Sequence, residues 1–436
     1  IHSVTRGSHC TSVVELGERT EYPKVLEKFP RNLPKYNCTA MYARVMHARI
    51  EENIKKIADY VETCGINRVE MRDTKMGIIC TGVMYAYIKD VFPNASVLKL
   101  GMSYPLPQNM IKDFASKVDK VYVIEELDPV IEEQVKSMGV DCVGKELFPA
   151  CYELLPDRLL DICLENGILD KDPRTHDVKE VENLPGRNPV LCAGCPHRST
   201  YYVLKKHDIA CAGDIGCYNL GAQPPFEAQH TMGCMGASIG QLHGMSLANL
   251  PENRVCTIGD GTFWHSGLPA LANMVHNNGR GVVILMDNDN TAMTGHQDNP
   301  ATDYRVLRNV EATKIDIPAV CRAMGVELVK TVNAFDVNEV EAGLKECMAY
   351  DKVSVLITKG ECVQFNKFSS TPYTVEADKC IACQTCFKCG CPAIMVSDEE
   401  NPKTHKKKCR IDPTLCNGCG ICSQVCPVKA IVKKED

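Results

Sequence analysis

The sequence Arg254-Val255-Cys256-Thr257-Ile258-Gly259-Asp260-Gly261 sets the architecture of the chain around it. Residues 254–258 form an apolar run that predicts a buried strand, and residues 282–285 form a second one. A helix is predicted between them, over residues 268–277. A strand, a helix and a second strand in this order are typical of a parallel sheet. We therefore predict an α/β fold at the centre of the chain.

Polar residues follow both predicted strands. Asp260 stands between Gly259 and Gly261, and Asn288 comes shortly after the second strand. Ligands of parallel sheets bind beyond the carboxyl ends of the strands, and carboxylate and amide oxygens suit Mg²⁺ that holds a diphosphate. The two glycines allow the backbone to approach the phosphates closely. We predict a magnesium–diphosphate site here, and an ordinary turn at Gly-Asp-Gly is the alternative.

The spacing of these residues resembles the thiamine diphosphate (TPP) signature, in which Gly-Asp-Gly is followed by a pair of asparagines. The first asparagine is replaced by Asp287 in this chain, and the second is kept as Asn288. The resemblance implies that Asp260 and Asn288 bind Mg²⁺ together with the backbone oxygen of Asn290. It implies TPP and Mg²⁺ as cofactors.

Composition excludes several classes of protein. The 436 residues suggest about three domains, and the net charge of −6 gives no broad basic surface for nucleic acid. There is no run of 18 apolar residues for a membrane span and no secretory signal peptide. The 26 cysteines are grouped in motifs, which favours metal clusters in a reducing, anaerobic cytoplasm over a disulfide framework.

The strongest cysteine motif lies near the C-terminus. Its second half follows the C-x₂-C-x₂-C-x₃-C-P spacing of [4Fe–4S] ferredoxins, where the fourth cysteine binds the other cluster. Two such runs predict two clusters. We assign cluster one to Cys380, Cys383, Cys386 and Cys426, and cluster two to Cys391, Cys416, Cys419 and Cys422. Cys389 is the alternative to Cys391, which is preferred because a proline follows it.

Other features leave two interpretations open. The glycine-rich segment 232–240 is predicted to enter a helix whose free N–H groups suit an anionic cofactor tail, or else to pack tightly through its small residues. His296 follows the predicted magnesium loop, near the cofactor or simply at the surface. Glu125 and Glu126 end a predicted strand and are interpreted as a solvated turn. The Cys192-x-x-Cys195 pair lacks a second pair for zinc.

The motifs together resemble the large (alpha) subunit of the indolepyruvate ferredoxin oxidoreductases, within the 2-oxoacid:ferredoxin oxidoreductase family. The resemblance covers nearly the whole chain and is carried by residues 12–18, 97–101, 125–129, 195–198, 214–217, 235–238 and 291–297 and by the cysteine-rich tail. It implies a TPP pocket formed by Cys195, His197, Asp214, Gly216, Cys217, Gly236, Gly259, Asp260, Gly261, Asn288 and Thr291. His197 and His296 are the candidate catalytic residues.

The resemblance also implies a domain order. Residues 1–35 are expected to be the end of a pyrimidine-binding domain with a linker, and 36–165 a transketolase C-terminal-like α/β domain. After a linker at 166–188, residues 189–370 are the TPP diphosphate and Mg²⁺ domain, and 371–436 a 2[4Fe-4S] ferredoxin-like α+β domain. The rest of the pyrimidine-binding domain is expected either to be missing from a truncated chain or to be supplied by a separate chain.

The implied activity is oxidative decarboxylation of an aryl 2-oxo acid, with indolepyruvate preferred, to acyl-CoA and CO₂. Electrons would pass through the two clusters to ferredoxin, and the expected partner is a smaller beta subunit. The alternatives are the same chemistry on phenylpyruvate, a branched-chain acid or pyruvate, a non-oxidative decarboxylase, and an electron-transfer subunit whose TPP site is completed by another chain.

Overall fold

The computed structural model divides the chain into two compact units, Ile1–Glu182 and Asn183–Asp436. The structure describes residues 11, 13–21, 31–174, 184, 186, 188–249, 254–302, 304–305, 310–365 and 371–434. Most of the segment predicted to end a pyrimidine-binding domain, and much of the predicted 166–188 linker, therefore lies outside the described residues. No helix in the described ranges is long and apolar enough to cross a membrane.

The first unit alternates strands and helices, as its sequence pattern predicts. A short helix, Leu33–Tyr36, comes before the first long one. The elements that follow are α1 (Ala40–Val61), β1 (Arg68–Glu70), β2 (Asp73–Thr81), α2 (Met84–Val91), β3 (Ala95–Leu100), α3 (Gln108–Ala115), β4 (Val121–Ile124), α4 (Val130–Ser137) and α5 (Pro156–Glu165).

The sheet of this unit has the order β1-β3-β2-β4. Strand β2 pairs in parallel with both β3 and β4, because helices carry the chain back between successive strands. The edge strand β1 pairs antiparallel with β3. The three residues of β1 are too few for a hydrophobic period to be recognised in the sequence.

Glu125 corrects the prediction of a solvated turn after β4. Its side chain is 5% exposed, and its carboxylate accepts hydrogen bonds from the backbone N–H groups of Ile131 (2.9 Å) and Glu132 (2.9 Å) at the start of α4. Burial raises the pKa of this carboxyl group. Glu125 therefore caps a helix, satisfying N–H groups that the first turn leaves without a partner inside the helix.

Substituting Glu125→Ala is expected to destabilise the first unit by about 1–2 kcal/mol, because two N–H groups at the start of α4 lose their acceptor. Thermal or urea unfolding of the variant measures this loss. Glu133→Ala is the matched control, since Glu133 is an exposed residue in the same first turn. Equal effects of the two substitutions would contradict the capping role.

The second unit begins with a larger α/β layer. Its elements are α6 (His197–Lys206), β5 (Cys211–Ala212), α7 (Ala237–Leu247), β6 (Val255–Gly259), α8 (Leu268–His276), β7 (Gly281–Asp287), α9 (Ile317–Ala323), β8 (Leu328–Asn333), α10 (Val337–Ala349) and β9 (Val353–Lys359). A turn of π-helix, Phe263–Gly267, precedes α8, and the two-residue strands Tyr304–Arg305 and Val310–Glu311 pair with each other.

The five strands of this layer are all parallel, in the order β8-β9-β7-β6-β5. Every described residue of β6 and β7 is buried, which is typical of a parallel sheet covered on both faces. Gly259 pairs with Met286, so β6 and β7 end side by side. Asp260 and Asn288 therefore follow neighbouring strand ends, as predicted. The sequence analysis did not place β9, the strand that pairs with the other side of β7.

The C-terminal part of the second unit is a small α+β fold. Its elements are β10 (Tyr373–Val375), the 3₁₀ turn Thr385–Cys389, β11 (Ile394–Glu400), β12 (Lys407–Ile411), α11 (Ile421–Val425) and β13 (Ile431–Lys433). The pairs β10–β13 and β11–β12 are antiparallel. Cys389 and Ile421 are buried in the same hydrophobic core as Tyr201 and Phe226 of the α/β layer. The two parts thus form one packed body.

Candidate functional site

Three oxygen-bearing groups converge beyond the ends of β6 and β7. The side-chain amide of Asn288 lies 2.6 Å from the backbone oxygen of Asn290 and 3.1 Å from Oδ1 of Asp260. When the amide nitrogen faces these oxygens it donates to both. When the amide oxygen faces them, three oxygens meet without a donor, an arrangement that a cation such as Mg²⁺ stabilises. The residues at this place thus fit the predicted metal.

Asp260 lies in an acidic, buried environment. It is 2% exposed, and burial, followed by the nearby charge of Asp287, raises its pKa to about 7. Asn299 donates a hydrogen bond to its Oδ2 atom at 2.9 Å. A buried carboxylate with a raised pKa is stabilised in its charged form by a bound cation, which is what a metal ligand requires.

Lys359 balances the acidic residues of the loop after β7. Its Nζ atom lies 2.9 Å from Asp287 Oδ2 and 2.8 Å from Asp289 Oδ1. Hydrogen bonds to these two carboxylates raise the pKa of Lys359 to about 12 against its burial, which lowers it. Asp287 replaces the first asparagine of the signature, and this lysine at the end of β9 neutralises its charge. Sequence reasoning missed Lys359 because it lies about 70 residues further along the chain.

Asp214 organises the glycine-rich segment. Its carboxylate accepts hydrogen bonds from the N–H groups of Ile215 (2.8 Å), Gly236 (2.9 Å) and Ser238 (3.0 Å) and is fully buried. The prediction that the N–H groups entering α7 are free was therefore wrong for residues 236 and 238. Gly236 has a φ of +89°, which favours glycine, and a Cβ there would collide with Ser266.

His197 lies at the start of α6 against the ring of Tyr218, with 6.0 Å between the ring centres. It is 3% exposed, and burial lowers its pKa to about 4, so the imidazole is neutral near pH 7. The Tyr218 hydroxyl donates to Thr262 Oγ1 at 3.2 Å. A Cβ on Gly216 or on Gly259 would collide with the Tyr218 ring. Both of these predicted pocket glycines therefore pack closely against the same ring.

His296 and Thr291 lie beside the oxygen-bearing groups. His296 Nδ1 is 3.2 Å from Oδ1 of Asn290, and its ring stacks on Phe365 with 6.0 Å between centres. A Cβ on Gly261 would collide with the Thr291 side chain, so glycine is required at that position. Trp264 is half-buried and packs edge-to-face on Phe263 at 5.7 Å, as part of the core.

A small cavity brings together the cysteines assigned to cluster one. Its lining includes Cys380, Cys383, Cys386 and Cys426 and a fifth cysteine, Cys409. The Cys409 sulfur is 3.4 Å from that of Cys386, and this contact together with burial raises the pKa of the Cys409 thiol. The sequence analysis did not consider Cys409, because it lies on β12 outside both cysteine runs.

The cysteines assigned to cluster two also lie near one another. Cys422 interacts electrostatically with Cys419, Cys391 and Cys416, and also with Cys389. Burial raises the pKa of Cys422 above its usual range and that of Cys389 to about 12. Both candidates for the fourth ligand thus lie at this site, and Cys391 remains the prediction.

A third group of thiols comes from distant parts of the chain. Cys195 interacts electrostatically with Cys192 and Cys217, and Cys217 also with Cys362. Cys217 and Cys362 thus lie in the neighbourhood of the Cys192-x-x-Cys195 pair, which has no second pair near it in the sequence. Within the described ranges no three or more His, Cys, Asp or Glu side chains are gathered to hold a single metal ion. A [4Fe–4S] cluster spans several iron atoms, so its ligands stand farther apart.

The chain matches two family profiles. Residues 214–358 match the thiamine pyrophosphate enzyme C-terminal TPP binding domain, and residues 410–432 match a 4Fe-4S binding domain. It is 35% identical to indolepyruvate oxidoreductase subunit IorA of Pyrococcus horikoshii, over 100% of this chain and 73% of that protein. The subunit of Methanothermobacter thermautotrophicus is 34% identical, over 99% and 72%. The chain belongs to the IorA family.

Membership of the IorA family confirms the expected α/β fold with a TPP-binding domain on a parallel sheet and a ferredoxin-like region. A solved 2-oxoglutarate:ferredoxin oxidoreductase from Magnetococcus marinus is 18% identical over 43% of this chain and 72% of its own, with a TM-score of 0.37. That likeness is too low to add to the argument.

His197→Gln is expected to reduce the acid sensitivity of this IorA-family chain. The folded-state pKa of His197, about 4, lies below the unfolded value of about 6.5, so protonation favours unfolding. The stability associated with neutral His197 is complete above pH 6.5 and is lost as the pH falls towards 4. Unfolding midpoints across this range measure the difference. His276→Gln, at an exposed histidine, is the control and should leave the slope unchanged.

Cys426→Ser is expected to remove the iron of one cluster, about half of roughly eight iron atoms, whereas Cys409→Ser leaves the iron content unchanged. Both cysteines line the same cavity, so each variant controls for disturbance of the site by the other. Iron analysis of anaerobically purified protein decides the matter. If only Cys409→Ser lost iron, Cys409 would be the ligand instead of Cys426. If the wild type held about twelve iron atoms, the third group of thiols (Cys192, Cys195, Cys217 and Cys362) would hold a third cluster.

Proposed function

We propose that this chain is the large subunit of a 2-oxoacid:ferredoxin oxidoreductase that oxidises aryl 2-oxo acids, indolepyruvate first among them, to acyl-CoA and CO₂. One observation carries the proposal. The oxygen-bearing site at Asp260 and Asn288 and the cysteine groups belong to one packed body with a shared hydrophobic core. A fixed arrangement of this kind suits electron transfer from an organic cofactor to iron–sulfur clusters within a single subunit.

The chain's own residues would hold the metal and the cofactor. Asp260, Asn288 and the Asn290 backbone oxygen would bind Mg²⁺ and, through it, the diphosphate. Bound TPP supplies the centre that stabilises a carbanion after loss of CO₂. Lys359 keeps the acidic loop from repelling the diphosphate, because its charge is held between Asp287 and Asp289.

The neutral His197 and the half-buried His296 would act on protons of the substrate. Burial keeps His197 uncharged near pH 7, so its ring is able to accept a proton or orient a polar group. His296 is held by Asn290 and Phe365 beside the metal ligands. The remaining predicted pocket residues, Cys195, Asp214 and Cys217, would shape the pocket, and Asp214 would do so through its cap of α7.

The clusters at the two cysteine groups would receive electrons one at a time and deliver them to ferredoxin. Cluster one would be bound by Cys380, Cys383, Cys386 and Cys426, and cluster two by Cys391, Cys416, Cys419 and Cys422. A smaller beta subunit is the proposed partner. The relatives are themselves named as subunits, which supports a complex of several chains, and the beta subunit follows from the resemblance described above.

The test is anaerobic turnover by the complex purified from its own cells. Viologen or ferredoxin reduction is followed with indolepyruvate, phenylpyruvate, a branched-chain acid and pyruvate, with and without coenzyme A. We expect CoA-dependent reduction that is fastest with indolepyruvate. Faster turnover of pyruvate or a branched-chain acid would overturn the substrate assignment alone. Release of an aldehyde without electron transfer would overturn the oxidoreductase reaction.

Asp260→Asn is expected to lower turnover by more than about tenfold, because it removes the only charged ligand of the proposed Mg²⁺ site while keeping the shape of the side chain. Raising the Mg²⁺ concentration should restore part of the rate. Asp351→Asn removes an exposed carboxylate of similar size and serves as the control. Equal activity of the two variants would contradict the proposed metal site.

A further inference from the structure

Arg198 is among the largest fully buried side chains of the protein, with 1% of its surface exposed. Its Nε atom donates to the Cys192 carbonyl at 2.8 Å and its Nη1 atom to the Cys389 carbonyl at 2.9 Å. Its Nη2 atom donates to the Leu191 carbonyl. The guanidinium thus joins the loop before α6 to the cysteine-rich loop of the ferredoxin-like region, 191 residues away in the sequence.

The charge of Arg198 has no carboxylate partner in the part of the chain that the structure describes, where its hydrogen bonds all go to neutral carbonyl oxygens. The half-exposed Lys359, by contrast, is held by two carboxylates. A buried guanidinium cannot lose its proton, and burying an uncompensated charge is costly. The surroundings of Arg198 are therefore expected to supply negative charge from another source.

Cysteines lie on both segments that Arg198 joins. Its side chain hydrogen-bonds to the carbonyl oxygens of Cys192 and Cys389, and its backbone N–H donates to the Cys195 carbonyl at 3.3 Å. Cysteines that bind iron do so as thiolates. Iron-bound cysteines at this place would therefore supply the missing negative charge.

We propose that Arg198 is a positioning residue that supplies the counter-charge of the iron–sulfur cluster proposed at Cys391, Cys416, Cys419 and Cys422. It also fixes the adjoining loop at Cys389 against the TPP pocket. The inference rests on the proposed function, which places a cluster at these cysteines. The cluster becomes more negative when it accepts one electron from the substrate as the substrate is oxidised. A buried positive charge nearby stabilises that state and raises the reduction potential.

The docking of the two parts does not depend on Arg198 alone. Gln424 accepts a hydrogen bond from the Val337 N–H at 2.9 Å and donates to the Phe335 carbonyl at 2.8 Å. Asn417 donates to the Ala193 carbonyl at 2.6 Å. These neutral contacts also hold the interface together. The contribution of Arg198 to docking can therefore be measured separately from the effect of its charge on the cluster.

The experiment compares Arg198→Gln and Arg198→Lys in the anaerobically purified complex. Each cluster potential is measured by reductive titration followed by electron paramagnetic resonance. The Gln side chain of Arg198→Gln has no charge but keeps an N–H donor. We expect the potential of one cluster to fall by at least about 59 mV, which is a tenfold change in the equilibrium constant of its one-electron reduction. The Lys side chain of Arg198→Lys keeps the positive charge but loses the planar set of N–H donors of the guanidinium. We therefore expect a lower unfolding midpoint, with the reduction equilibrium constant of the cluster within tenfold of the wild-type value.

Two controls isolate the effect. Lys388→Gln removes an exposed charge one residue from Cys389, where water screens it. It should change neither the unfolding midpoint nor the cluster potential that Arg198→Gln lowers. Gln424→Ala weakens the docking without changing charge and should lower only the unfolding midpoint.

Several results would overturn the proposal. One is an Arg198→Gln protein whose cluster potentials equal those of the wild type. Another is a folded Arg198→Lys protein whose cluster potential falls as far as in the Gln variant, or whose reduction equilibrium constant changes by more than tenfold. The Lys result decides alone if the Gln variant does not fold. A wild-type protein without iron at these cysteines would refute the proposed function itself, and an unshifted potential in a loaded protein would refute only the role of Arg198.

Discussion

The parallel pairing of β6 with β7 is the constraint on which the central site depends. Because Gly259 pairs with Met286, the two strands end together, and Asp260 and Asn288 emerge at the same edge of the sheet. A shift in register would separate the carboxylate from the amide. The strand β9 completes this edge from the other side of β7, where its last residue, Lys359, reaches the carboxylates of Asp287 and Asp289.

The shared core is the second constraint. The C-terminal part of the chain buries Cys389 and Ile421 among residues of the α/β layer, and Arg198, Asn417 and Gln424 hydrogen-bond across the same boundary. Domains that pack through a core of this kind do not reorient freely, unlike domains joined by a linker alone. The cysteine groups therefore keep a fixed position relative to the loop before α6. Electron transfer, which depends on a short and constant separation, benefits from this arrangement.

The sequence predicted what is local and periodic. The strands around Gly-Asp-Gly, the helix between them and the grouping of the tail cysteines follow from apolar runs and spacing, and the structure has them. It could not predict what folding brings together from afar. Lys359 pairs with Asp287, Cys362 approaches Cys217, and Arg198 contacts Cys389, yet no pattern in the sequence connects these residues. Glu125 was misread for a related reason, since a capping carboxylate looks like any acidic residue near a turn until its N–H partners are known.

The central claim is that one packed body holds both the cofactor site and the electron acceptors. The most direct measurement is a single turnover of the anaerobic complex, mixed with indolepyruvate in the absence of any external acceptor and frozen within milliseconds for electron paramagnetic resonance. The account predicts that reduced [4Fe–4S] signals appear on this chain in step with loss of CO₂. Release of CO₂ while the clusters stay oxidised, in a protein that carries its full iron, would contradict it.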